Sequence, residues 1–143
     1  MSFDFRLRSG DLSIVNGDFE QIKDSPKLIQ DILKIATTQA GTNPFAPWYG
    51  SLLSRTMIGS ILPDGIIITA AQGQLQLAIS ALQNMQAIQI QQRQTLSADE
   101  QLAAVLGIQV GRSPVDQRLF QVKISVVTKS YRSTSVAFTV STF

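Results

Sequence analysis

The chain contains neither cysteine nor histidine. The first absence excludes a disulfide and a thiol site. The second removes the commonest metal ligand and the commonest general base. Charge is scarce as well: Asp, Glu, Lys and Arg make up 15% of the 143 residues, well below the usual quarter. The 12 basic residues are scattered, so a net charge of +2 and a pI ≈ 9.2 form no basic stripe for a nucleic acid. No basic region followed by an apolar run opens the chain, and no secretory signal is expected. The most apolar stretch, from Ile61 to Ala71, is broken by Pro63 and Asp64 and is too short to span a bilayer. With no ligand cluster and no Gly-rich phosphate loop, neither a metal nor a cofactor is expected.

Hydrophobic residues make up 44% of the chain, enough for one packed domain over residues 1–143. A domain of this size buries roughly 70% of the surface its unfolded chain exposes. Phe3, Phe5 and Leu7 alternate with charged residues, as in a half-buried strand. Asn16-Gly17 is a hairpin dipeptide, since both residues tolerate positive φ, and Phe19 to Ile22 is read as the returning strand. Ser25-Pro26 opens a helix with an apolar stripe of Leu28, Ile29, Ile32, Leu33, Ile35 and Ala36, closed by Gly41. A short helix is expected within Leu52 to Leu62, and a long one from Ile66 to about Gln92. The long helix carries Leu75, Ala78, Ile79, Leu82 and Met85 on one face and Gln72, Gln76, Gln83, Gln86 and Gln89 on the other. That glutamine face either is solvated or hydrogen-bonds a partner without the cost of burying charge.

Ser97 to Glu100 has capping-box spacing and predicts a short helix through Ala104. Three alternating segments follow, around Leu106–Val110, Phe120–Val126 and Val136–Val140. They predict an antiparallel meander with one face on the helices. The fold class is therefore α+β: an N-terminal hairpin, two main helices and a C-terminal three-stranded antiparallel meander packed on them. No internal repeat is expected.

Between helix and helix lies Gly41-Thr42-Asn43-Pro44-Phe45-Ala46-Pro47-Trp48-Tyr49-Gly50-Ser51-Leu52-Leu53, with the only Trp of the chain. The two prolines forbid helix here. Three aromatic rings in one loop must bury against the domain's own core or against a partner, and the core is the expectation.

This segment, the helix before it and Asn16-Gly17-Asp18-Phe19 upstream resemble the baseplate wedge and sheath-initiator family of contractile phage tails. The likeness extends over about Asp11 to Leu53. Many members carry a Glu-Pro-Arg triplet where the long helix gives way to the strands; it is absent here, and a contact built on it is not transferred. The resemblance implies a structural component of a virion tail baseplate, assembled in the host cytoplasm, present in several copies around the tail tube. Its implied partners are the tail sheath protein, other baseplate wedge proteins and tube or hub proteins. In that family a small sheet accepts strands from the first sheath subunits. A related component serves the type VI secretion baseplate.

Strand addition needs an accessible edge, and Ser133 to Phe143 alternates with no proline and only Arg132 as a neighbouring charge. The candidate partner-binding residues are Thr134, Val136, Phe138 and Val140, with Trp48 and Tyr49 from the aromatic loop. Relatives of this kind have carried a lysozyme-like label, so a peptidoglycan-degrading, muramidase-like enzyme is the alternative. It requires two carboxylates across a cleft. The 10 acidic residues are accounted for by turns, caps and exposed faces, with Asp31 and Asp64 the two in more apolar settings. No catalytic residue and no enzymatic activity are expected.

Overall fold

The computed structural model describes residues 3–142. The N-terminal strands are six two-residue pieces: β1 (Asp4–Phe5), β2 (Leu7–Arg8), β3 (Asp11–Leu12), β4 (Ile14–Val15), β5 (Asp18–Phe19) and β6 (Gln21–Ile22). They pair antiparallel as β1 with β6, β2 with β3 and β4 with β5. Two of these pairs are hairpins, where a single hairpin was expected, and the third joins the first strand to the last; their spacing of seven residues reveals a repeat. Asp4-Phe5-Arg6-Leu7-Arg8-Ser9-Gly10 is followed by Asp11-Leu12-Ser13-Ile14-Val15-Asn16-Gly17, and Asp18-Phe19 opens a third copy. In each copy the aspartate accepts a hydrogen bond from the next residue's N–H, at 2.8, 2.8 and 2.9 Å. Ser9 and Gly10 turn at φ 51° and 84°, and Asn16 and Gly17 at 53° and 81°, the left-handed pair of a tight hairpin. At the centre the equivalent residues close a ring: Arg6 N–H donates to Glu20 C=O, Ser13 N–H to Arg6 C=O and Glu20 N–H to Ser13 C=O, at 2.8 to 2.9 Å. The result is a small module with pseudo-threefold symmetry.

The module sits on α1 (Asp24–Thr37) through two side chains, Gln30 and Lys34. Gln30 is buried; its amide donates to Asp4 and to Phe5 C=O and accepts from Leu7 N–H, at 2.8 to 2.9 Å. Lys34 bonds Asp4 beside it. The helix stops at Thr37, short of Gly41, which falls in the following loop. Next come α2 (Leu53–Met57) and α3 (Asp64–Gln91), then β7 (Leu102–Arg112), β8 (Leu119–Thr128) and β9 (Ser133–Ser141), an antiparallel sheet in the order β7-β8-β9. One face of the sheet rests on the helices. Phe120, Val122, Ile124, Val126 and Val136 meet Leu28, Ile32, Ile35, Leu75 and Ile79 in a single core.

The expected helix at Ser97 to Ala104 does not form, and β7 begins at Leu102 instead. Glu100 still accepts from Ser97 N–H at 3.2 Å, as a capping box would arrange, but its other oxygen accepts from Asp24 N–H at 3.3 Å. It is buried, and it ties the start of the sheet to the start of α1. Pairing of Leu102 with Thr128 outweighs a local helix preference worth about 1 kcal/mol.

By length and composition α3 could cross a membrane, yet here it lies along β7 with Ile67, Ala71, Leu75, Ala78, Ile79 and Leu82 buried. Its glutamines explain the fit. Gln86 is buried; it donates to Glu100 C=O at 2.8 Å and accepts from Leu102 N–H at 2.9 Å. Gln83 donates to Ala103 C=O and Gln72 to Ile108 C=O, at 3.3 and 3.1 Å. Gln86→Leu strands a buried donor and a buried acceptor and is expected to cost roughly 3 kcal/mol. Gln76→Ala, on the exposed side of the same helix, should stay within about 0.5 kcal/mol. Urea unfolding of the two variants measures the difference; equal costs would show that the Gln86 contacts carry no net stability.

Candidate assembly surfaces

The two outer strands of the sheet end up with unlike edges. In an antiparallel ladder, pairs that exchange hydrogen bonds alternate with pairs that do not. Ser113 N–H donates to Leu119 C=O at 2.8 Å. With Arg112 opposite Phe120 and Ile108 opposite Ile124, that phase turns the backbone groups of Ile108, Val110 and Arg112 away from β8. This outer edge of β7 is obstructed. Gln72 occupies the Ile108 carbonyl, Gln83 and Gln86 serve the strand's beginning, and two register shifts interrupt the stretch between Leu102 and Gly107. Bulges and a covering helix are the usual protection of an edge.

β9 has none of this. Its register with β8 is unbroken from Leu119–Ser141 to Val127–Ser133. At its two ends Thr142 N–H donates to Arg118 C=O and Thr128 N–H to Arg132 C=O, both at 2.9 Å. These bonds set the phase throughout. The backbone groups of Thr134, Val136, Phe138 and Val140 bond β8, and those of Ser135, Ala137 and Thr139 point outward. Among the described residues no hydrogen bond satisfies these outward groups. β9 contains no proline and no charged residue. Near its end, Gly59 N–H bonds Thr142 C=O at 3.1 Å, so the open stretch lies upstream of that contact.

The four β9 residues singled out from the sequence thus belong to the strand, but their own polar groups are committed to β8. Val136 is buried, and Phe138 and Val140 lie half-buried against the core. The backbone that a new strand would meet is that of Ser135, Ala137 and Thr139. Alternation alone could have named this set only if the phase of the ladder had been known.

The aromatic loop departs from expectation. Phe45 is 97% exposed and Trp48 56% exposed, while Tyr49 packs partly on the core. The Tyr49 hydroxyl is pushed above its ordinary pKa by burial, with Asp31 and Asp4 adding to the shift. The loop is nevertheless firmly built. Ala40 N–H bonds Ser51 C=O, Ser51 N–H bonds Thr38 C=O and Gly41 N–H bonds Pro47 C=O, at 2.8 to 3.0 Å. Ser51 Oγ donates to Ala36 C=O at 2.6 Å, and Asn43 accepts from Phe45 N–H at 3.0 Å. Gly50 sits at φ +113°, and a Cβ there would lie 2.5 Å from Thr38 O. The short connections fix the backbone first, and two rings are left facing outward because the core beneath α1 is already filled by Leu53 and Met57. A fixed loop presenting Trp and Phe has the chemistry of an interface anchor.

Carboxylates approach each other in two places, but neither pair lines the grooves on the outer sheet face, beside α1 or beside Met57: Asp4 adds to the upward push on Asp31, and Ser97 bonds both Asp24 and Glu100. Burial raises the Asp31 pKa, against the hydrogen bond and charge of Lys27, whose Nζ lies 2.8 Å away. Asp64 forms a two-point ion pair with Arg112 at 2.7 and 2.9 Å across the end of α3. The groove on the outer sheet face and the groove beside α1 are lined by no carboxylate, and the one beside Met57 holds Asp116 alone. Among the described residues no group of three or more acidic side chains forms a metal-binding cluster.

Exposure of the Trp48 ring makes its contribution to folding small. Trp48→Ala should change the free energy of unfolding by less than about 0.5 kcal/mol, read by denaturant titration of the isolated chain. A loss near 3 kcal/mol, the size for a buried aromatic, would place the ring in the core after all.

No family model matches the chain, and neither does any curated protein. Among solved structures it is similar to a Geobacter sulfurreducens protein described as a "putative tail lysozyme", with a TM-score of 0.56 at 11% identity, covering 80% of this chain and 87% of that one. At that identity the two share a fold.

Proposed function

We propose that this chain is a structural component of a contractile tail, placed in the baseplate, where it nucleates the sheath by accepting a strand from a sheath subunit. The observation that carries this reading is the asymmetry of the sheet: β7 is bulged and covered, and β9 is regular and open. Strand addition draws its affinity from main-chain hydrogen bonds and its register from alternating side chains. Ser135, Ala137 and Thr139 offer the first, and the uncovered flanks of Phe138 and Val140 offer the second. The shared fold with a protein named for a tail, and the resemblance of the loop and hairpin motifs to baseplate wedge proteins, support the same reading. The sheath protein is then the partner at β9, and neighbouring wedge proteins or tube and hub proteins meet the loop carrying Phe45 and Trp48. The chain works in several copies in the baseplate of a virion tail put together in the host cytoplasm.

Proline at an outward-facing position removes a donor that the monomer does not use. Ala137→Pro is therefore expected to fold and to abolish sheath polymerisation on baseplates that carry it, whereas Thr139→Ser polymerises sheath normally. If Pro variants at Ser135, Ala137 and Thr139 all fold and all nucleate sheath at the wild-type rate, the strand-addition mechanism is wrong.

The muramidase reading draws on the neighbour's name, and the three grooves described above offer no pair of carboxylates among the described residues. Purified protein incubated with cell-wall peptidoglycan from acidic to neutral pH should release no fragments above a buffer control. Sustained turnover that a single carboxylate substitution abolishes would establish the enzyme instead.

A further inference from the structure

A groove of about 700 Å³ runs between the pseudo-threefold module and the outer side of α1. Its walls are apolar, formed by Leu7, Ile22, Pro26, Ile29 and Leu33. That volume falls in the range of about 300–1,000 Å³ typical of binding pockets. Its polar lining is of one sign: Arg6, Arg8 and Lys34 contribute to it, and no Asp or Glu does. Lys34 is matched by Asp4. The two arginines are not matched one for one. Arg6 Nε lies 3.2 Å from Glu20 Oε1, and Arg8 Nη2 lies 3.3 Å from Glu20 Oε2. Ser13 Oγ donates to that same carboxylate at 2.7 Å. Two guanidinium groups and a hydroxyl thus converge on one anion, and the Arg6 Nε, though buried, makes no hydrogen bond. Arg8 faces Asp11 across its hairpin, but the Asp11 carboxylate accepts from Leu12 N–H. Among the described residues no ion pair joins Arg8 to Asp11. One positive charge at the mouth of an apolar groove is left without an opposing carboxylate.

We propose that this groove docks a short segment of a partner protein that carries apolar side chains and a carboxylate. The apolar side chains lie along Ile29 and Leu33, and the carboxylate completes the Arg6–Arg8 cluster, where guanidinium forks favour it. This surface is separate from the β9 edge and does not depend on strand addition there.

The test is selection of a random dodecapeptide phage library on the immobilised full chain, followed by fluorescence anisotropy of the enriched peptides. The expected peptides combine Asp or Glu with Leu, Ile, Val or Phe. Their affinity should drop at least tenfold with Leu33→Glu and several-fold with Arg8→Glu, and replacing their acidic residue by Lys should restore binding to Arg8→Glu. Both side chains are exposed, and circular dichroism checks that the variants fold. Ala137→Pro should bind the peptides as the wild type does. Failure to enrich any peptide, enrichment of peptides without a carboxylate, or equal binding to Leu33→Glu would each overturn the proposal.

Discussion

The contact between α3 and the edge of β7 governs the character of the rest of the molecule. A sheet of three strands has two edges, each a row of unmet N–H and C=O groups. Here the side chains of Gln72, Gln83 and Gln86 meet those of β7. Glutamine suits the task because it both donates and accepts and brings no charge to be desolvated. A Lys or Glu in the place of Gln86 would bury an ion against Leu102. α3 thereby covers the β7 edge from Leu102 to Ile108, whereas no helix covers the edge of β9 in this way.

A second organising centre is α1. Its inward face, Leu28, Ile32, Ile35 and Ala36, belongs to the main core. Its opposite face carries the N-terminal module through Gln30 and Lys34. From its end hangs the loop that fixes Phe45 and Trp48 in the open. The burial that pushes the Asp4 carboxyl up is outweighed by Lys34 together with Gln30 and the Phe5 N–H, which hold its pKa below the usual value. A carboxylate depressed in this way stabilises the fold above its unfolded pKa, and the contribution fades as pH falls through the lower folded value. The module's seat on α1 is thereby strengthened at neutral pH and weakened in acid.

These surfaces share a design in which backbone hydrogen bonds impose shape and leave apolar groups outward. The loop is held by bonds among Thr38, Ala40, Gly41, Pro47 and Ser51, and Gly50 fits because anything larger would strike Thr38. Order fixed before binding reduces the entropy lost on association. On the function proposed above, the scarcity of charge in the composition follows the same logic, since residues that meet a partner lose less when they are uncharged.

Much of this was legible from the chain alone. Strict alternation in β8 and β9, the 3.6-residue stripe of α1 and the Asn16-Gly17 turn each depend on neighbours close in sequence, and so the α+β class and the meander could be read directly. The seven-residue repeat was also present in the letters, but its third copy has Gln21 where Leu7 and Ile14 stand, and Lys23-Asp24 where the others have a Gly turn. What the chain could not disclose was how distant pieces compete. The capping box at Ser97 yielded to β7 because Glu100 found Asp24 N–H and Leu102 found Gln86. The aromatic loop faced outward because other side chains already filled the core. Which β9 backbone groups point away from β8 rests on the phase of a ladder between strands. Periodicity is set by covalent geometry along the chain, whereas edges, exposed rings and shared carboxylates exist only once segments far apart in sequence have claimed their partners.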